Sequence, residues 1–236
     1  MIESLVGTKS GAFDVFEGTI PTEKFILADA QAKQNIVSIE LIQTRRFFSA
    51  FWFGDYQKAS ELYKTASSLP SSKLPKLWTI YRECYNAIVM FQMYSEGEGE
   101  EWLDEGVRGM AKFEFWTSIS KDVFKNKYLL LQAEHYVVSC EIKEAKDAFE
   151  ASIESARDHG YTNELGLAFE RYGTFLEAIV ETTEALVCFK SAHVCYLQWG
   201  AFALAEHVWN KYNLGTCTEC AHPLLISAGG AKHART

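Results

Sequence analysis

Proline is scarce in this 236-residue chain: there are four, and none interrupts a stretch with helical rhythm. Few breakers leave long segments free to coil. Cysteine is equally sparse, and Cys84, Cys140, Cys188, Cys195, Cys217 and Cys220 are too few and too scattered for a disulfide framework. The first four fall inside helical patterns, where a free thiol behaves as a small buried hydrophobe. Positive charge is also short, since 23 Lys and Arg stand against 31 Asp and Glu for a net charge of -8, with no compact basic cluster. That excludes the phosphate attraction on which most nucleic-acid binding rests, so no nucleic acid is expected as partner. No run approaches the ~18 uncharged apolar residues of a membrane span, so no membrane insertion is expected. The opening MIESLVGTKSGAFD lacks a basic segment followed by an apolar one, which predicts a cytoplasmic protein. No segment alternates apolar and polar residues for long enough to make a strand.

What is present is a recurring trio on one helical face. Ala185, Phe189 and Ala192 follow one another at steps of four and three, which stacks small, large and small side chains along one stripe. Ala59, Tyr63 and Ala66 do the same, as do Ala145, Phe149 and Ser152, and a weaker copy is Gly106, Met110 and Phe113. The first members are 47, 39 and 40 residues apart, about two helices and two short loops, and such a period marks a helical repeat array. Small residues let two helix backbones approach and the ring fills the space one turn further on. The fold class expected is therefore all-α, a tetratricopeptide-like α-solenoid of antiparallel helix hairpins with divergent repeats.

Three parts are expected. Residues 1–22, with Gly7, Gly11, Gly18 and Pro21, form a loose lead-in, residues 23–213 form the repeat domain of about four hairpins plus a closing helix, and residues 214–236 form a disordered tail. Within the domain a single long segment runs from Glu23 to Phe53 and turns at Gly54 and Asp55. Leu69–Pro75 separates the first two hairpins, Gly160 supplies a left-handed cap, and Thr182 or Thr183 caps the last paired helix.

The residues 159–212 carry a further likeness. His159-Gly160, Asn163-Glu164, Ala168-Phe169-Glu170, the corner Tyr196-x-x-Trp199-Gly200-Ala201 and Tyr212 resemble the closing section of the helical-repeat region in very large signalling ATPases. In those proteins a kinase-like segment and an NTPase module precede the repeats, and a GAF domain with a histidine kinase, or a nucleotide cyclase, follows. FGDYQKASELY and FKNKYLLLQAEHY resemble earlier parts of that region, so the likeness covers residues 37–213. It implies a coupling or docking module without catalytic residues, because no GxxxxGK[ST] loop, histidine phosphoacceptor box or cyclase aspartate pair occurs in this chain. The sequence after Gly215 does not continue toward a following domain of that kind.

Candidate chemistry is thin. Cys217, Cys220 and His222 have a spacing that suits two thiolates and a nitrogen on zinc, but no second pair follows, and no metal or other cofactor is assigned. His135, His193 and His207 lie on helical segments that adjacent hairpins could bring together, although core or rim roles suit them better. Trp52, Trp78, Trp102, Trp116, Trp199 and Trp209 recur near helix ends, as seam fillers or as the lining of a peptide groove. The acidic run Glu96–Glu101 suits a solvated loop and a helix start. The function these features predict is a non-catalytic protein-interaction or coupling module with a protein or peptide partner. The rival is a small-molecule or peptide sensor with an aromatic-lined pocket inside the helical array: a deep closed cavity with converging polar groups favours it, and an open groove favours the scaffold.

Overall fold

The computed structural model describes residues 23–68, 76–97 and 99–215, and every regular element among them is a helix. The order is α1 (Glu23–Ala32), α2 (Ile36–Trp52), α3 (Tyr56–Ser67), α4 (Lys76–Ser95), α5 (Glu100–Ile119), α6 (Lys121–Val138), α7 (Ile142–Asp158), α8 (Thr162–Ala178), α9 (Thr182–Trp199) and α10 (Phe202–Lys211). The lead-in at residues 1–22, the Leu69–Pro75 separator and residues 216–236 lie outside the described residues. Leu214, which the sequence placed in the tail, is buried at the end of the domain.

The helices end in a common way that the trio did not disclose. After α1, α2 and each of α6 to α10 one residue takes a left-handed conformation, its N–H bonding to a carbonyl three residues back, while the next N–H reaches five residues back; α5 ends differently, at Ser120 with φ of -144°. Cys140 N bonds Val137 O at 3.1 Å and Glu141 N bonds Tyr136 O at 2.9 Å, and Val180 with Glu181 repeats this at 3.0 and 2.9 Å. Gly160 and Gly200 complete the series, with φ of 59°, 69°, 68° and 83° at residues 140, 160, 180 and 200. Helix plus turn therefore recurs every 20 residues in this half, and Gln34 and Gly54 keep the same interval at the front. Cys140 is thus an exposed turn residue, whereas the sequence placed it in a helix as a buried thiol; Cys84, Cys188 and Cys195 are buried.

Two other expectations are corrected by the same device. The segment Glu23–Phe53 is divided into α1 and α2, because Gln34 turns left-handed and the Asn35 side chain accepts from the Ser38 N–H, starting a new helix. Neither Thr182 nor Thr183 caps α9: the N-cap is Glu181, whose carboxylate is held instead by Lys146 Nζ at 2.7 and 2.6 Å. Asp55 does cap α3, accepting from the Lys58 N–H at 3.2 Å.

In two of the four hairpins, α4–α5 and α8–α9, rings are set into glycine notches. A Cβ on Gly173 of α8 would lie 2.6 Å from the Phe189 ring of α9, and one on Gly166 would lie 2.7 Å from Tyr196. Only a glycine admits those rings at that depth. In α4 and α5 the polarity is reversed, since Phe91 projects from the first helix into Gly106 of the second, and Gly109 meets Ala87. This reversal is why Gly106, Met110 and Phe113 make the weakest trio: Gly106 is the notch and the fully buried ring is Phe113, at the third place. Ala59, Ala145 and Ala185 are all buried and stand alike, each donating its N–H to the carbonyl of the N-cap residue, Asp55, Glu141 or Glu181. Ala66, Phe149, Ser152, Phe189 and Ala192 are buried too, while Tyr63 and Met110 are half-buried.

Consecutive helices pack as antiparallel neighbours, and a second set of contacts links alternate ones. The first helices of the four hairpins, α2, α4, α6 and α8, touch one another in series, forming a continuous row. The second helices, α3, α5, α7 and α9, pack chiefly on their sequence neighbours.

Candidate functional site

The row of first helices carries buried charge, which is costly unless each ion is paired. Arg82 of α4 places Nη1 3.3 Å from Glu40 Oε1 and 3.4 Å from Thr44 Oγ1 of α2. Between α6 and α8, Lys127 Nζ stands 2.8 Å from both carboxylate oxygens of Glu164, with Asn126 Nδ2 donating to the same carboxylate. Two turns further along both helices the charges are exchanged. Arg171 of α8 donates from Nε and Nη2 to the two oxygens of Glu134 of α6, at 2.6 and 2.7 Å.

That fork is the hub of the site. Arg171 Nη2 also reaches Gln92 Oε1 of α4 at 3.2 Å, and Nη1 donates to Tyr56 Oη of α3 at 3.1 Å. One guanidinium therefore ties α8 to α3, α4 and α6, all remote from it in sequence. Burial opposes its charge most, but the Glu134 carboxylate together with the Tyr56 and Tyr212 phenols outweighs burial and holds Arg171 well above the usual arginine range. The alternation of sign sets register: sliding α8 by seven residues along α6 would oppose Lys127 to Arg171 or Glu134 to Glu164. Buried like charges would then face each other.

The first hairpin closes over this row. Trp52, at the end of α2, lies edge-on to Tyr196 with ring centroids 5.8 Å apart and 5.4 Å from Trp199, both on α9. Phe53 meets His207 of α10 at 5.2 Å, and Phe51 stacks on Tyr85 at 4.3 Å. Glu170 gathers the far side, accepting from Tyr196 Oη at 2.9 Å and Tyr212 Oη at 3.2 Å, with Lys211 3.7 Å away. Burial, then the Glu170 charge, pushes both phenols up.

A small void lies within this arrangement. The enclosed void beside Lys127 and Glu164 is bounded by Tyr81, Cys84, Tyr85 and Asn126, and it holds about 10 Å³. That is room for about one water molecule. Burial pushes the Cys84 thiol up to about 12, so it carries no thiolate near neutrality. A larger depression, of about 210 Å³, opens at the turn between α6 and α7 and is lined by Tyr136, Val137, Cys140, Ile142, Phe175 and Ile179.

The three histidines have separate partners. His135 packs on Phe91, His193 Nδ1 lies 2.9 Å from Ala205 O, and His207 faces Phe53. Trp52 and Trp102 are buried, while the other four tryptophans are half-buried at the edges of the core. Cys217, Cys220 and His222 lie outside the described residues, among which no group of three or more His, Cys, Asp or Glu is placed to hold a metal ion. Among the same residues no helix is long and apolar enough to cross a membrane. The pairing of the buried charges Glu134, Arg171, Lys127 and Glu164 was not read from sequence, although Glu164 is among the residues that carry the resemblance. Their signal was a matched seven-residue spacing, Lys to Glu in α6 and Glu to Arg in α8.

No family model, no curated protein and no solved structure matches this chain.

Proposed function

We propose that this chain is a tetratricopeptide-like α-solenoid acting as a non-catalytic coupling or docking module for a protein or peptide partner, in the manner of the repeat region of signalling ATPases that its sequence resembles. The observation that carries the reading is the serial row α2, α4, α6 and α8 combined with a turn every 20 residues from 140 to 200. Stacking of like units with nearest-neighbour contacts is how repeat arrays build long persistent surfaces. Cytoplasmic placement and the absence of nucleic acid as partner belong to the same proposal, and the second rests on the acidic balance.

The partner-facing surface in this reading lies away from the side that Trp52, Tyr56 and Arg171 occupy. Trp52, Tyr56 and Arg171 fill that side, so recognition falls to the turn edges and to the outer faces of α5 and α9, where Phe115, Ile119 and Val187 are exposed. A sensor built around an internal pocket would need a cavity of about 300 Å³ or more, far above the void found here. Fractionation of native extract by size, followed with an antibody to residues 160–212, tests the proposal. Elution well above 26.7 kDa, shifted to smaller size by Val187→Asp, is expected. Elution of the unaltered protein as a free monomer contradicts it.

A further inference from the structure

The turns that join paired helices are of two kinds. Gly54 and Gly97 make those of the first two hairpins, with φ of 76° and 91°, whereas Cys140 and Val180 hold the left-handed conformation in the last two, at 59° and 68°. A β-branched residue is strained there and glycine is not. Val180 is also 80% exposed, so its side chain gains nothing from burial within the fold. Strain of this kind collects where a surface has another use. An apolar depression opens beside both exceptions. Tyr136, Val137 and Ile142 wall it on one side and Phe175 and Ile179 on the other, with Cys140 and Glu141 at the mouth and Val180 next after Ile179. Ile142 is itself 50% exposed.

Size decides what enters. The depression holds about 210 Å³. An apolar cavity of about 150 Å³ already admits a benzene ring, while pockets for whole drug-sized ligands begin near ~300 Å³. The space suits one large apolar side chain carried in by a peptide.

Charge decides what accompanies it. Glu141, Glu144, Glu177 and Glu181 flank the wall, and the ammonium groups of these turns are Lys143 and Lys146. Lys146 is committed to Glu181, at 2.6 Å. Glu141, Glu144 and Glu177 are exposed and form no salt bridge among the described residues. Carboxylates around an apolar hollow attract a cationic neighbour and repel an anionic one, over a reach of about 10 Å in dilute salt.

We propose that this edge, built from the α6–α7 and α8–α9 turns, docks a basic peptide segment of a partner protein. One bulky apolar side chain of that segment fills the depression, and a lysine or arginine beside it meets Glu141 and Glu177. Ile142 and Val180 form the apolar rim around the anchor. The assignment rests on the docking role proposed above and selects this turn edge over the outer faces of α5 and α9.

The test offers the intact protein a random heptapeptide library displayed on phage, after which enriched peptides are resynthesised with a fluorescent label and titrated by polarisation. Enriched peptides are expected to share one large apolar residue beside lysine or arginine. Ile142→Asp should weaken their binding about tenfold or more, and it keeps the fold, because a carboxylate in the first turn of α7 suits the helix dipole. Glu141→Gln combined with Glu177→Gln should do the same, and the parent affinity should fall as salt rises from about 0.1 to about 1 M. Val180→Gly should bind less tightly although it relieves the turn, a result that a merely structural role for Val180 would not give. Helical circular dichroism checks each variant. No enrichment, enriched peptides without basic residues, or equal affinity in the parent and Ile142→Asp overturns the proposal. A large native assembly that Val187→Asp reduces, together with a failed selection, removes this edge and leaves the docking role standing.

Discussion

Replacing Glu134 by Gln removes the countercharge of Arg171 with almost no change of shape. Arg171 and Glu134 expose 9% and 4% of their side chains, and two short hydrogen bonds join them. Tyr56 and Gln92 are neutral and cannot replace the lost charge, so Glu134→Gln strands a cation in a dry site. Breaking one side of such a pair costs about 3–5 kcal/mol. That is a large part of the ~5–15 kcal/mol that holds an ordinary domain folded. Urea unfolding followed by helical circular dichroism would show the midpoint falling with little change of slope. Replacing both partners together, Glu134→Met with Arg171→Met, removes the stranded charge and should recover at least half of the loss. If Glu134→Gln costs under about 1 kcal/mol, the value of an exposed pair, the site is wet and the seam does not set register. If the double replacement is as harmful as the single one, the energy lies in packing.

Three further outcomes follow from the geometry. Gly173→Ala drives a Cβ to 2.6 Å from the Phe189 ring, which is itself stacked on Tyr212, and should destabilise by about 1–3 kcal/mol in thermal unfolding; a neutral result would mean that α8 and α9 are not notched together. Val180→Gly should instead raise the melting temperature by about 2–4 °C, the shift for about 1 kcal/mol of relieved backbone strain in a domain of this size. Burial, then Lys211, lowers the affinity of His207 for a proton, so the unfolded chain binds that proton first as pH falls. Stability that is present above the ordinary histidine value of about 6.5 is therefore lost on acidification, and His207→Gln should show a shallower decline between about pH 7 and pH 5; equal slopes would remove His207 from the balance.

The all-helical class was legible because apolar residues recur at helical steps and nothing alternates. Gly54, Gly160 and Gly200 also announced their turns. Cys140 and Val180 make the same turn without glycine, and Gln34 splits an apparently continuous helix, so the 20-residue beat was hidden at those places. Repeat packing was read from the trio, yet Gly166 and Gly173, which receive the rings, lie on the partner helix and carry no periodic signal of their own. The closed inner side was not legible. It depends on Trp52 reaching Tyr196 and on Arg171 reaching Tyr56, and pairings at such separations leave no local pattern. On that side Trp52 lies against Tyr196 and Arg171 against Tyr56.

A double-mutant cycle between Trp52 and Trp199, each replaced by Leu, tests the closure of the first hairpin on the last most directly. Their rings are 5.4 Å apart although α2 and α9 belong to opposite ends of the array. The expected result is a coupling of about 0.5–1.5 kcal/mol, as for aromatic pairs in contact. Additivity within about 0.3 kcal/mol, the behaviour of distant sites, would contradict it and leave the inner face open.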